Sequence, residues 1–185
     1  MGRTTIAVYG GSFNPPHVGH ALVAAWALWT GQADAVWLVP TFRHAFDKAL
    51  APFDERLALC RALADDVSGA VEVLDLERTL PVPSFTIDTL RLLQTRHPGH
   101  RFRLLVGADI LEQTDAWNSW ADIVRLFPPI VVGRVGWPPV PGAPTFPGVS
   151  STELRARLAS GEAVDGLVTQ GVAERLPGSY GAAAR

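Results

Sequence analysis

Residues 4–30 read TTIAVYGGSFNPPHVGHALVAAWALWT, and this stretch decides the fold. Residues 4–9 are a short, largely apolar run of the kind that forms a buried strand, and Gly10 and Gly11 then free the backbone to turn sharply. Pro15 and Pro16 set an extended approach to a helix over residues 18–30, where Leu22, Val23, Trp26 and Trp29 recur at helical spacing until Gly31. His17 and His20 therefore share a face at the start of that helix. A helix N-terminus presents unpaired N–H groups and a partial positive charge, so this strand, loop and helix make a natural anion site, with phosphate the foremost candidate.

The same beat continues along the chain. Strands are expected over residues 35–39 (AVWLV), 71–76 (VEVLDL), 102–106 (FRLLV) and 130–132, and helices over residues 52–65 and 84–96. Two short helical pieces are expected around Trp117 and Trp120. Repetition of this unit predicts an α/β fold: one domain with a parallel sheet of about five strands, helices on both faces, and ligands at the C-terminal edge of the strands. Residues 135–149 hold five prolines and three glycines, too many breakers for a helix or a central strand, so a loop is expected there. Ser150 and Glu153 then have the spacing of a capping box, opening a helix that stops near Gly161. A last helix is expected over residues 170–176.

Composition bounds the function. The 185 residues are 48% hydrophobic and 18% charged with no apolar run long enough to span a bilayer, the pattern of an ordered globular domain. No signal-peptide pattern precedes the glycine loop, so a cytoplasmic location and no membrane partner are expected. A net charge of −2 argues against a broad nucleic-acid surface but allows a focused pocket for an anionic small molecule. Cys60 is the only cysteine, which excludes an intrachain disulfide and a cysteine-based zinc site, and its apolar setting reads as packing.

Two further segments fit a polyphosphate. Ser150, Ser151 and Thr152 bring hydroxyls to a helix start, and Arg155 lies one turn on, able to direct a guanidinium to the same anion. Alone, this would read more readily as a capped helix with a surface arginine. The loop after the second strand offers Lys48 as the first choice of cation, with Arg43 as its alternative.

GGSFNPPHVGH resembles the signature of the HxGH nucleotidyltransferases, which have a Rossmann-like fold, and especially of the nicotinate-nucleotide adenylyltransferases. SSTELR resembles the ISSTxxR-type motif of the same superfamily, while SFTIDTL (residues 84–90) and GADILEQTDAWNSW (residues 107–120) match the nicotinate-nucleotide branch. The resemblance implies transfer of AMP from ATP to nicotinate mononucleotide, with Mg2+ carried on ATP and no dedicated protein metal site. It places His17, His20, Lys48 and Arg155 in catalysis. ATP would be held by Gly10, Gly11, Ser12, Phe13, His20, Gly107, Asp109, Ser150, Ser151, Thr152 and Arg155. The mononucleotide would meet Ser12, Phe13, Lys48, Thr86 and Trp117, with Trp117 stacking on the pyridine ring and Trp26, Trp29 and Trp120 left to packing. Three residues separate His44 from Lys48 here, whereas relatives often pair His and Lys directly. Alternatives that stay open are nicotinamide mononucleotide or dual specificity, a phosphopantetheine or cytidylyl-transfer substrate, a binding module without chemistry, and self-association.

Overall fold

A computed structural model describes residues 3–43, 50–81, 84–178 and 180. Its strands are β1 (Thr5–Gly11), β2 (Ala35–Pro40), β3 (Val71–Val73), β4 (Arg101–Gly107), β5 (Ile130–Arg134) and β6 (Thr145–Phe146). Its α-helices are α1 (Val18–Trp29), α2 (Phe53–Val67), α3 (Thr86–Arg96), α4 (Trp120–Leu126), α5 (Ser151–Ser160) and α6 (Gln170–Ala173). The strands form one sheet in the order β3-β2-β1-β4-β5-β6, and every neighbouring pair is parallel. Strand order reverses between β1 and β4, which leaves a crevice at their C-terminal ends, the place where doubly wound sheets hold ligands.

The alternation of side chains along the strands builds two cores. Ala7, Val36, Leu38, Leu105 and Val132 point to one face, where they meet α1, α2, α5 and α6. Ile6, Val8, Trp37, Val39, Leu104 and Val106 point to the other, against α3 and α4. Both faces are covered, which is why the strands read as nearly continuous apolar runs rather than as alternating ones.

The sheet has six strands rather than five. The extra strand, β6, lies within the proline-rich segment: Gly133 N–H donates to Pro144 O at 2.9 Å and Val135 N–H to Phe146 O at 3.3 Å. Two residues between Pro144 and Pro147 suffice because β6 sits at the sheet edge, where proline's missing donor is tolerated. Three shorter elements also differ from expectation. β3 ends at Val73 and is followed by a 3-10 turn over Glu77–Thr79. α3 starts at Thr86 because the Ser84 hydroxyl donates to Glu77 Oε2 at 2.7 Å instead of capping the helix. α6 ends at Ala173.

Trp29 is 79% exposed and so is not a packing residue. On α1 the side chains of Ala21, Ala24, Ala25 and Ala27 face inward, because small residues let the helix approach the sheet closely. Trp26 is half-buried against Phe146, and Leu22 and Trp29 extend from it toward solvent. Cys60 is fully buried, and burial pushes its thiol well above the ordinary range, consistent with packing.

Leu63, fully buried between α2 and the sheet, tests the larger core. Leu63→Ala should lower stability by about 2–5 kcal/mol through lost transfer energy and a residual cavity. Urea denaturation should show this as a lower midpoint with an unchanged slope.

Candidate active site

A cleft of about 420 Å³ opens at the C-terminal edge of the sheet. Tyr9 to Phe13 enter it from the end of β1, Leu105 to Gly107 from β4, and Val132 to Arg134 from β5. The start of α1 supplies His17 and His20, and the start of α5 supplies Ser150, Ser151 and Thr152. Two helix N-termini therefore face one cavity, whose size suits a nucleotide-sized ligand. A second hollow between α2 and α6 is lined by Asp65, Asp66 and Glu174 with one arginine, Arg175, an excess of carboxylates that would repel a polyphosphate.

Residues 11–15 are held from several sides. Gly11 O accepts from Thr41 N–H at 2.9 Å, and Ser12 O accepts from Arg56 Nη1 at 2.7 Å. Asn14 O accepts from Arg155 Nη1 at 2.7 Å, and Pro15 O accepts from the Ser151 hydroxyl at 2.9 Å. The last two contacts join the GGSFNPPHVGH and SSTELR segments directly, at the two residues Asn14 and Pro15. In a planar trans peptide the N–H points opposite to the C=O. Fixing the Gly11 and Ser12 carbonyls thus aims the Ser12 and Phe13 amides the other way.

His17 is the N-cap of α1, and its backbone N–H donates to His20 Nδ1 at 3.1 Å. Because Nδ1 of His20 accepts, its neutral ring carries the proton on Nε2 and offers one N–H donor. The two imidazoles stack with centroids 3.7 Å apart, and Phe13 meets His20 edge-on at 4.8 Å. Gly19 leaves this stack uncrowded: a Cβ there would lie 3.0 Å from the His17 ring, which would have to shift. Burial, with the Arg134 guanidinium adding to it, pulls His17 down to about 4. Burial, then His17 and Arg134, holds His20 well below the ordinary histidine range. Both rings are neutral at neutral pH in the free protein.

On the far wall the Asp109 carboxylate pairs with Arg134 at 2.9 Å. It folds back over Gly107, where a Cβ would meet Asp109 Oδ1 at 2.4 Å, so a larger residue there would displace the carboxylate. Trp117 also lines the cleft, packed edge-on against Trp120 at 5.5 Å. The edge strand β6 and the segment after it close the side with Phe146, Pro147 and Val149.

Twelve sequence-derived candidates thus share this cleft: Gly10, Gly11, Ser12, Phe13, His17, His20, Gly107, Asp109, Trp117, Ser150, Ser151 and Thr152. Arg155 does not line it; its guanidinium is engaged by Asn14 O and, at 3.4 Å, by Thr152 Oγ1. Thr86, the first residue of α3, stands apart from the cleft wall. Lys48 and His44 lie outside the described residues, while Arg43 is exposed at the end of the described part of that loop. Sequence reading passed over Tyr9 and Arg134, both on the cleft wall. Their only signal was position, near the C-terminal ends of β1 and β5. Among the described residues no cluster of three or more His, Cys, Asp or Glu could hold a metal ion, and no helix is long and apolar enough to cross a membrane.

Comparison with known proteins fits this geometry. The cytidylyltransferase-like family matches residues 8–157, the span from β1 into α5. A protein of Anaeromyxobacter sp. (strain K) named "probable nicotinate-nucleotide adenylyltransferase" is 53% identical over 174 residues, covering 92% of each chain. One of the same name from Myxococcus xanthus is 41% identical over 164 residues, covering 88% of this chain and 86% of its own. The solved Plasmodium falciparum nicotinic acid mononucleotide adenylyltransferase complexed with NaAD shares the fold, with a TM-score of 0.78 at 18% identity over 94% of each chain. The chain is thus a nucleotidyltransferase of the cytidylyltransferase-like class, and within that class it belongs to the nicotinate-nucleotide adenylyltransferase family.

The depressed imidazoles predict an acid-sensitive fold. His17 titrates near 6.5 when unfolded and at about 4 when folded, so between those values the unfolded chain binds a proton that the folded chain refuses. Stability is complete above 6.5 and falls as pH drops toward 4. Between about pH 7 and pH 5, His17 alone should remove about 2 kcal/mol, measured by urea denaturation. A His17→Asn/His20→Asn double variant should show a flatter profile over this interval.

Proposed function

We propose that this chain, as a cytoplasmic enzyme, transfers AMP from ATP to nicotinate mononucleotide, releasing pyrophosphate and forming nicotinate adenine dinucleotide. The observation that carries the reading is the convergence of two helix N-termini and a neutral imidazole pair on one cleft at the strand-order reversal. The identity of 53% with the Anaeromyxobacter relative supports the choice of acceptor.

A phosphate oxygen of the mononucleotide attacks the α-phosphorus of ATP; that P–O bond forms as the bond to the β-phosphate bridging oxygen breaks. The oxygen nucleophile needs no covalent enzyme intermediate, so the protein's work is alignment and stabilisation of charge. His20 Nε2–H and the Ser12 and Phe13 amides donate to the phosphate oxygens. The start of α5, with Ser150, Ser151 and Thr152, faces the leaving pyrophosphate, and Mg2+ enters bound to ATP as part of the substrate. Lys48, or Arg43 in its place, adds a cation from the segment after β2. Asp109 takes the ATP ribose hydroxyls. Trp117 presents a rigid indole face to the pyridine ring, and Thr86 is assigned to the mononucleotide by its motif position. When a phosphate reaches the histidines, its negative charge favours their protonated forms, so ATP binding should draw protons from solution.

Purified protein with MgATP should release pyrophosphate with nicotinate mononucleotide, and little with nicotinamide mononucleotide or phosphopantetheine. Release with the nicotinamide substrate alone would overturn the acceptor assignment. His20→Ala should lower kcat by about a hundredfold or more. Trp117→Ala should raise KM for the mononucleotide by about tenfold, the scale of one lost aromatic contact, with KM for ATP unchanged.

A further inference from the structure

Arg56 is 1% exposed in the first turns of α2, among the largest fully buried side chains of the protein. Its guanidinium donates to three backbone carbonyls: Ala51 O at 3.0 Å, Ser12 O at 2.7 Å and Thr41 O at 2.8 Å. The group also lies over the Phe53 ring, 5.3 Å from its centroid. Burial lowers its basicity, so its charge is held there at a cost.

The three acceptors come from different places in the chain. Ser12 is on the cleft floor, Thr41 follows β2, and Ala51 precedes α2. Thr41 N–H donates to Gly11 O at 2.9 Å, and Ala51 N–H donates to Asn14 Oδ1 at 3.1 Å. Both ends of the segment between residues 41 and 51 therefore hang from the glycine loop, and one planar cation joins all three backbones. A lysine ammonium, a compact point charge, cannot reach three carbonyls in this fork geometry. An apolar residue of similar volume would fill the space without fixing any carbonyl.

We propose that Arg56 is a positioning residue for adenylyl transfer, one that touches no substrate and acts through the Ser12 carbonyl to fix the Phe13 amide that meets the phosphate. It also ties the Thr41 and Ala51 carbonyls to the same guanidinium as the glycine loop. The proposal rests on the reading of the cleft as the ATP site.

The test compares Arg56→Lys and Arg56→Ala with Leu93→Ala, a core control buried against the opposite face of the sheet. All are assayed well below their melting midpoints, so that each is folded. Both Arg56 variants should lose kcat by on the order of tenfold or more, whereas Leu93→Ala keeps kcat within about twofold despite its lower melting midpoint. If Arg56→Ala does not fold, Arg56→Lys carries the comparison. Titration of MgATP without acceptor separates the two readings. Wild-type protein that binds ATP but turns over no pyridine mononucleotide defeats the acceptor assignment alone, and weaker ATP binding in Arg56→Lys then still supports the role of Arg56. An Arg56→Lys enzyme with parental kcat and parental ATP affinity overturns it.

Discussion

The five residues from Gly11 to Pro15 are the constraint on which the site depends. Four of their carbonyls are claimed by groups from elsewhere: the Thr41 amide, Arg56, Arg155 and the Ser151 hydroxyl. A loop with this much glycine and proline has no regular ladder of its own, so its conformation must be imposed by long-range partners. The partners all lie later in the sequence, with separations of 44, 136 and 141 for the three side-chain contacts. Folding the sheet and placing the anion site are consequently one event. A cleft at the strand-order reversal would exist with any loop, but only a loop fixed in this way aims its amides consistently.

Electrostatics follows from that arrangement. Anion sites are often built from permanent cations, yet among the described residues the two arginines bonded to the loop, Arg56 and Arg155, are engaged by backbone carbonyls rather than lining the cleft. What the cleft presents instead is helix dipoles, amides and two neutral imidazoles, with Arg134 tied to Asp109. Such a site attracts phosphate without carrying a large fixed charge into a chain whose net charge is −2. Neutral imidazoles also need no displacement of counter-ions or deep hydration shells before they donate. Their low basicity in the free protein is the counterpart of this, since charge on either ring is penalised until an anion arrives.

Much of this was legible in the sequence, for identifiable reasons. The beat of apolar runs and amphipathic helices gave a parallel sheet with two covered faces because that pattern reflects burial on both sides. The HVGH and SSTELR segments were recognisable because helix starts have local rules, and the Ser150 hydroxyl does accept from Glu153 N–H at 3.1 Å. The reciprocal half of that capping box is absent: the Glu153 carboxylate pairs with Arg157 at 3.1 Å. β6 was hidden because two residues between prolines carry no period, and only an edge position lets them pair. Trp29 misled because indole counts as apolar in any periodicity, while the inward face of α1 is set by alanines.

Arginine was the hardest residue to read. Arg155 stands one turn into α5, as a phosphate ligand would, yet its guanidinium spans to Asn14 O. Arg56, in a helix with the acidic and basic residues of an ordinary surface, is among the most buried side chains. Sequence alone gives type and spacing, whereas the acceptors of these two guanidinium groups lie on segments brought together only by the sheet. A planar cation with several donors is suited to collecting carbonyls from unrelated backbones, and its role is defined by those carbonyls rather than by its neighbours in sequence. In this fold the two arginines act on the loop, and in the proposed reaction the loop in turn offers its amides to phosphate.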